Sequence, residues 1–538
     1  MSAPTVSLSC HHLSFGWPDG RTVLEDFDLT IGPGRTGLVG LNGAGKSTLL
    51  RLLAGELTPQ EGSVQATGEV GYLPQNLTLD TALRVDEALG IATARSALHA
   101  IEAGDTAEEH FTAVGDDWDV EERARATLDQ LGLTDIQLDR RIGEISGGET
   151  VLLRLAALLL GRPDVLLLDE PTNNLDRHAR HRLYDAVVSW TGVLVVVSHD
   201  RELLSLVDRI ADLRADGVHW YGGDFAAYEE ALATEQEAAQ RMVRVAEADL
   251  RRQKRELADA QEKLSKRVRY GNKMYANKRE PRAVMKLRKR AAQESAGKHR
   301  IMHEQRLEGA RDRLDEASDA VRDDDEIRVD LPATRVPSGR QVLTLRGVRL
   351  RHGGRVEVDL HGPERVALVG RNGAGKSTLL RTIEGRIPAE EGEVHRHVPV
   401  RCLPQRLDVL DDGLSIVENV ARMAPGASNN QIRARLAHFL FKAKRADQRV
   451  GTLSGGERFR ATLAAVLLAE PAPQLLMLDE PTNNLDLASI RQLGSALEDY
   501  EGALLVAGHD LPFLHELGMT RWLRMDGELT EVDPDEEL

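Results

Sequence analysis

The chain has only two cysteines in 538 residues, Cys10 and Cys402, far apart and in no metal-ligand spacing. They read as buried or inert thiols in a reducing compartment rather than as a disulfide framework. Long apolar runs are missing too. Nothing approaches the ~18–20 residues needed to cross a bilayer, and the longest stretches, around Leu155–Leu160 and Val193–Val197, have the length of core elements. Residues Met1 to Phe15 lack a basic flank followed by an apolar region, so no secretory signal is expected and a cytoplasmic location is the default. Positive charge is in deficit: 69 Lys and Arg against 86 Asp and Glu give a formal charge of −17. Spread evenly, that balance argues against a wholesale nucleic-acid binder. What is present, 41% hydrophobic and 29% charged residues, lies in the soluble globular range, and at roughly 150 residues per domain the length suggests three or four domains.

The chain repeats itself. Gly40-Leu-Asn-Gly-Ala-Gly-Lys-Ser-Thr-Leu-Leu-Arg51 returns 330 residues later as Gly370-Arg-Asn-Gly-Ala-Gly-Lys-Ser-Thr-Leu-Leu-Arg381, and Leu73-Pro-Gln75 returns as Leu403-Pro-Gln405 at the same offset. Ser146-Gly-Gly-Glu149 returns as Ser454-Gly-Gly-Glu457 at an offset of 308, so the first copy carries about 22 extra residues before it. Asp169-Glu-Pro-Thr-Asn-Asn-Leu-Asp176 and Asp479-Glu-Pro-Thr-Asn-Asn-Leu-Asp486 are 310 apart, as are His199 and His509. A period this long excludes a solenoid. Two homologous domains are expected, 1–222 and 341–538, joined by a different segment, 223–340.

That joining segment reads as two helices with a heptad seam. Val243, Leu250, Leu257 and Leu264 recur every seven residues, as do Leu307, Leu314 and Val321, with Ala310 and Ala317 between them. Gly271 and Pro281 bracket a break, which predicts an antiparallel hairpin turning near Tyr270–Pro281. Arms of about 40 residues at ~1.5 Å per residue would reach roughly 60 Å. Charge separates along the same boundaries. Residues 241–300 hold 20 basic and 7 acidic side chains, a balance of +13 that leaves −30 for the rest. The density peaks over 266–290 in Lys266, Arg267, Arg269, Lys273, Lys278, Arg279, Arg282, Lys286, Arg288, Lys289 and Arg290, with Glu280 the one acid and Tyr270 and Tyr275 interleaved. A solvated helical face with i,i+4 acid–base pairs accounts for Arg241–Glu262. It does not account for 266–290, where unpaired density implies a polyanion whose phosphate contacts weaken as salt rises. Folded RNA suits it better than sequence-specific DNA, since no base-reading module is evident, and the tip has no apolar face large enough to enter a membrane.

Within each repeat the chemistry points to a phosphate ligand. Val39-Gly40 ends a predicted strand, and the Gly-x4-Gly-Lys-Ser pattern opens a predicted helix over Thr48–Ala54. In that context glycines let backbone N–H groups converge on phosphate oxygens at a helix N-terminus. Lys46 and Lys376 would meet the β and γ phosphates, and Ser47 and Ser377 would hold Mg²⁺. The apolar runs Val165–Leu168 and Leu475–Leu478 end in paired acids, as a buried parallel strand does when its C-terminal end faces a nucleotide. The first acid, Asp169 or Asp479, would bind Mg²⁺ through water. The second, Glu170 or Glu480, would orient or deprotonate the attacking water.

These ordered motifs, with a histidine (His199, His509) after the next apolar strand, resemble ATP-binding cassette ATPases over nearly all of both repeats. Two cassettes on one chain, Glu in Ser-Gly-Gly-Glu, the Pro-Thr-Asn-Asn-Leu-Asp extension, the excess in copy one and the charged linker look like the ABC-F class. The implied fold is α/β: two tandem P-loop cassettes joined by a long helical hairpin, with an arm subdomain at about 92–128. The resemblance implies two ATP sites. The nucleotide would be held by Gly40, Asn42, Gly43, Gly45, Lys46, Ser47 and Thr48 and by Gly370, Asn372, Gly373, Gly375, Lys376, Ser377 and Thr378. Gln75 and Gln405 would act at the metal, and His199 and His509 would sense the γ-phosphate. Cassettes of this family pair head to tail, so Ser454, Gly455 and Gly456 should complete the site of Lys46 and Glu170. Ser146, Gly147 and Gly148 should complete that of Lys376 and Glu480. The linker is the family's contact with tRNA and the large ribosomal subunit, and both partners lie on one chain, so a monomer suffices.

Some positions depart from the pattern. Trp17 suits an adenine-stacking aromatic, whereas its counterpart is His352 in a shortened segment, so stacking there should be weaker. Thr150-Val151 stands where copy two has Arg458-Phe459. Two competent sites of unequal rate are expected. The leading reading is a ribosome-binding ATPase acting on translation, either as a general factor or by protecting the ribosome from antibiotics. The alternative, a detached ATPase subunit of a drug or macrolide exporter, gives no role to a +13 hairpin. A DNA-repair ATPase would suit a basic C-terminal domain, but residues 533–538 are acidic.

Overall fold

A computed structural model of the chain describes residues 6–18, 20–75, 80–173, 175–276, 301–303, 305–317, 327, 329, 331–351, 354–405, 408–483 and 485–533. The chain divides into two compact units, one of Met1–Ala227 with Glu326–Leu538 and the other Tyr228–Asp325. Both repeats therefore lie in one unit.

In the first repeat six strands run in the order Val70–Leu73, Val165–Asp169, Val193–Val197, Gly34–Val39, Arg209–Arg214 and Gly217–Gly222. The first five are parallel and the last turns back. Parallel strands covered on both faces are written as continuous apolar runs, and every residue of Val165–Asp169 and Val193–Val197 is buried. The register sets up the site. Asp169 pairs with Val197, and Val197 with Leu38, so the phosphate loop and the acidic pair leave the sheet at the same edge. The second repeat reproduces this row with Asp479, Ala507 and Leu368. Each repeat also has three antiparallel strands: Thr22–Ile31, Leu8–Gly16 and Glu61–Ala66 as a separate sheet in the first, while in the second Arg355 bridges to Glu528 and nine strands join.

The excess of the first repeat is helical. Where the second repeat passes from helix Ile416–Met423 to helix Asn429–His438, the first inserts Ala92–Glu102 and Glu108–Val114 between Val85–Ala88 and Val120–Gln130. The helix Val120–Gln130 thus has a counterpart in copy two, and the inserted helices occupy the earlier part of the expected 92–128 span. Arg95 ties the insertion to its base. Its guanidinium donates to Asp86 (2.8 Å), Asp139 (2.7 Å) and Glu121, and Asp86 is only 1% exposed.

One helix spans Phe225–Ala276, in the other unit from Tyr228 onward, and residues 301–303 and 305–317 are again helical. Val243, Leu250, Leu257, Leu307 and Leu314 are half-buried, Ala310 and Ala317 buried, and Arg313 donates to Asp249 at 2.7 Å, so these heptad positions form a seam between the two helical segments, while the side chain of Leu264 and all of Val321 lie outside the described residues. The described helix passes the first boundary of the expected turn, Tyr270–Pro281, and residues 277–281 lie outside the described residues. The helix continues through Tyr270 and Gly271 to Ala276, because one glycine costs only about 1 kcal/mol in a helix interior, too little to end so long a run. Lys266 is not unpaired as expected: its Nζ lies 2.7 Å from Glu262, one turn back. Arg269 and Lys273 are exposed on this helix, whereas the side chain of Arg267 and all of Lys278, Arg279, Arg282, Lys286, Arg288, Lys289 and Arg290 lie outside the described residues.

Replacing Arg95 by Met strips a buried carboxylate of one of its two guanidinium partners, the other being Arg84. Breaking such a pair costs about 3 kcal/mol. Amide exchange in Ala92–Glu102 and Val120–Gln130 should accelerate by about a hundredfold in Arg95→Met, with the sheet amides of the first repeat unchanged.

Candidate functional site

At the shared edge of each sheet the chain makes a tight glycine loop before a helix. Gly40, Gly43 and Gly45 have φ of 147°, 87° and 99°, and Gly370, Gly373 and Gly375 repeat this with 142°, 80° and 105°, a backbone region open chiefly to glycine. Sterics add to this: a Cβ on Gly45 would fall 2.5 Å from Val23, and one on Gly370 would fall 2.4 Å from Met525 O. The helices begin at Lys46 and Lys376, two residues earlier than expected, so each lysine and the Ser–Thr pair after it occupy the first turn, where N–H groups are unpaired and the dipole is positive. Both lysines are buried, and burial lowers their pKa against the pull of nearby acids, chiefly Glu170 and Glu480.

The acids sit across the edge. Ser47 Oγ donates to Asp169 Oδ1 at 3.0 Å and Ser377 Oγ to Asp479 at 2.9 Å; burial raises both carboxyl pKa values. One carboxylate beside one hydroxyl is a hard oxygen pair suited to a divalent cation that also takes phosphate and water oxygens. Glu170 and Glu480 both have φ of 48°, a left-handed conformation that costs of order 1–3 kcal/mol in a non-glycine residue. Hydrogen bonds from their own N–H groups to Val197 O and Ala507 O, 2.8 Å each, hold it. Burial raises Glu170 to about 8 and also raises Glu480, while Lys46 and Lys376 oppose the shift.

His199 and His509 complete the pair of sites. Burial pushes each imidazole down to about 3, with the neighbouring lysine acting in the same direction, so both are neutral. Lys376 Nζ donates to His509 Nε2 at 2.7 Å, and that nitrogen lies 3.3 Å from Glu480 and 3.2 Å from Asn372. Both lysines also donate to their loop carbonyls, Lys46 to Gly40 O and Leu41 O at 2.7 and 3.1 Å and Lys376 to Gly370 O and Arg371 O at 2.6 and 3.4 Å, but in the first repeat His199 Nε2 approaches Glu170 to 3.2 Å without hydrogen-bond geometry. Gln75 and Gln405 are exposed at the ends of their strands. Trp17 is half-buried, edge-on to Phe15 at 5.2 Å. His352 lies outside the described residues.

The repeats face each other across these loops. Asn42 N donates to Asp486 Oδ2 at 2.8 Å, and a Cβ on Gly455 would stand 3.9 Å from Asn42 Cβ, which brings the first glycine loop against the Ser454-Gly-Gly segment and the Asn-Asn-Leu-Asp turn of the second repeat. Ser454 caps its helix, with Glu457 closing the capping box, and Ser146 with Glu149 does the same. Burial opposes ionisation of Asp486, yet hydrogen bonds from Ser489 and from Asn42 N hold its pKa low. Around the second glycine loop lies a cavity of about 370 Å³, lined by Arg371, Asn372, Gly373, Gly375, Lys376, Ser377, Thr378, Gln405, Glu480, Asn483 and His509 and, from the first repeat, by Leu175 and Arg180. Ser146, Gly147 and Gly148, expected there, are not among the lining residues; the first repeat instead reaches it through the helix after its Asn-Asn-Leu-Asp turn. Arg180 and Tyr184, which both bond Asp200 at 3.3 and 2.8 Å, went unread in the sequence. Their i,i+4 spacing just after the turn was the available signal.

Comparison with known proteins agrees. Residues 24–173 and 354–483 match the family described as ABC transporter. The chain is 35% identical to the tylosin resistance ATP-binding protein TlrC of Streptomyces fradiae, over 95% of each chain. It is 30% identical to the energy-dependent translational throttle protein EttA of Escherichia coli K12, over 93% of this chain and 89% of that one. Among solved structures, one titled RNase-L Inhibitor superimposes with a TM-score of 0.53 at 19% identity, over 96% of this chain and 87% of that one, a likeness of fold. No described helix is long and apolar enough to cross a membrane.

Burial of Glu170 has a pH signature. A carboxyl whose pKa rises from 4.5 to about 8 on folding is more protonated in the native state, so its contribution is fully present below 4.5 and is lost as pH rises through 8. In nucleotide-free buffer Glu170→Gln should therefore gain in melting temperature over the parent protein as pH goes from 5 to 9. A gain independent of pH, in differential scanning calorimetry, would exclude a native carboxyl held protonated there.

Proposed function

The chain belongs to the ABC transporter family and, within it, to the ABC-F proteins, and from that premise we propose that it is a cytoplasmic, monomeric ATPase with two composite sites whose closure is coupled to binding at the ribosome. The observation that carries the composite reading is the bond from Asn42 N to Asp486, which joins the phosphate loop of one repeat to the other repeat. ATP would be gripped by the N–H groups of each glycine loop and by Lys46 or Lys376, with Trp17 against the first adenine. Mg²⁺, which would neutralise phosphate charge when bound, would be held by Ser47 and Asp169 or by Ser377 and Asp479, with Gln75 or Gln405 beside it.

Glu170 and Glu480 are the groups available to accept a proton from water. Each stands within reach of a lysine and a neutral histidine, so ligand binding that draws the lysine toward phosphate alters how readily the acid ionises. Backbone N–H groups of the Ser-Gly-Gly helices, capped by Ser146 and Ser454, would meet the γ-phosphate only when the repeats close. ATP then favours the closed state by its differential contacts, and hydrolysis removes them. The basic 266–290 segment is the proposed contact with ribosomal RNA and tRNA. Similarity to a translational throttle protein and to a tylosin resistance protein supports action on translation, and the longer, closer match to the latter supports protection of the ribosome from an antibiotic.

A Glu170→Gln, Glu480→Gln double variant should pellet with ribosomes in ATP and remain in the supernatant without it. Equal pelleting in both, or none, would contradict the coupling. Neutralising Lys286, Arg288, Lys289 and Arg290 should weaken that pelleting and flatten its salt dependence while basal ATPase stays within about twofold of the parent. Expression in a susceptible host should raise the tylosin concentration that stops growth; no change would leave the general translation role and remove the protective one.

A further inference from the structure

Two cations that the motifs do not account for line the cavity around the second glycine loop: Arg371, at a variable position of that loop where the first copy has Leu41, and Arg180, which alone comes from the other repeat. Arg180 stands in the first turn of helix Arg177–Ser189, which Asp176 caps, and is fixed from its own repeat. Nε donates to Leu175 O and Nη1 to Asp200 Oδ2, each at 3.3 Å. The hydroxyl of Tyr184 holds the same Asp200 oxygen at 2.8 Å, so the fork is oriented by a carboxylate that is itself oriented. Only 13% of the side chain is exposed. Nη2 makes no hydrogen bond among the described residues, and the side chain lines the cavity with Lys376, Ser377, Glu480 and His509. Besides Asp200, the acids that act on it include Glu202 of its own repeat and Asp510 and Glu480 of the second.

The second repeat carries no arginine at the position equivalent to Arg180. At the offset of 310, Arg180 corresponds to Ile490, Tyr184 to Gly494 and Arg201 to Leu511. Ile490 is 2% exposed and belongs to the apolar core of the second repeat. Three polar positions on one side are thus apolar or small on the other, although the surrounding turns are identical.

We propose that Arg180 is a working part of the second ATP site, supplied in trans by the first repeat, where its guanidinium faces the phosphates and makes the two sites chemically unequal. The proposal rests on the ATPase reading above. A planar, permanently charged fork suits phosphate oxygens, and a preorganised cation in a buried site stabilises charge that develops during phosphoryl transfer. A purely structural role would instead be to balance Asp200, next to His199 of the first site.

Single-turnover ATP hydrolysis separates the two. In a Glu170→Gln background the second site is read, and in a Glu480→Gln background the first. Arg180→Gln should slow the second site by about tenfold or more, with part of the rate recovered in Arg180→Lys, and should change the first site by less than about twofold; retention of the first site's rate also shows that the variant is folded. Equal losses at both sites, a loss confined to the first, or no loss at either would overturn the proposal. If neither background hydrolyses ATP while Arg180 is intact, the ATPase reading itself fails.

Discussion

Each repeat buries a lysine ammonium beside two carboxyl groups at one edge of a parallel sheet, and most of the remaining architecture is arranged around that constraint. Unpaired charge in a protein interior is costly, so the groups must be close, oriented and partly neutral. The sheet register brings the two ends together, with Asp169, Val197 and Leu38 in one row. Neutral histidines and carboxyl groups with raised pKa values reduce the number of charges held at once. The left-handed backbone at Glu170 and Glu480 is strain that the surrounding sheet tolerates because the adjoining strand satisfies the N–H group of each.

Pairing of the repeats follows from the same constraint. A glycine loop at a helix start presents N–H groups toward solvent, and an acceptor from another part of the chain can take one of them. Asp486 does this for Asn42 while its other oxygen caps its own helix through Ser489. One carboxylate thereby links the order of a helix start in the second repeat to the position of the phosphate loop in the first. The ion pair between Arg201 and Glu516 at 2.9 Å joins the repeats elsewhere, but its glutamate is half exposed, and such pairs contribute little.

Much of this was legible in the sequence, and the reasons differ by element. Buried parallel strands have no solvent face, so Val165–Asp169 and Val193–Val197 stand out as unbroken apolar runs. The glycine loops are legible because left-handed backbone and close approach admit almost no other residue. The heptads of the long helices were equally plain, and the pairing of Lys266 with Glu262 shows that local acid–base spacing extends further than a charge count implies. The left-handed glutamates had no signal at all, because glutamate does not mark such backbone. The contribution of Arg180 was hidden for another reason: its role depends on which repeat faces which cavity, a property of tertiary pairing.

The comparison of copy with copy reaches further than either copy alone. Where the repeats are identical, through Gly-Ala-Gly-Lys-Ser-Thr and Asp-Glu-Pro-Thr-Asn-Asn-Leu-Asp, the shared chemistry leaves little room for change. Where they differ, the difference falls on two kinds of position. One is the insertion of Ala92–Glu102 and Glu108–Val114, which adds surface held by Arg95. The other is the helix after each Asn-Asn-Leu-Asp turn, where Arg180 and Tyr184 replace Ile490 and Gly494. An apolar side chain in that place extends the core of its own repeat, and a guanidinium gives up that packing. In the first repeat the exchange sets a cation, tethered to Asp200, at the wall of the neighbouring site. Two sites built from the same motifs then differ in electrostatics while keeping the same fold, because the residues that distinguish them belong to the opposite repeat.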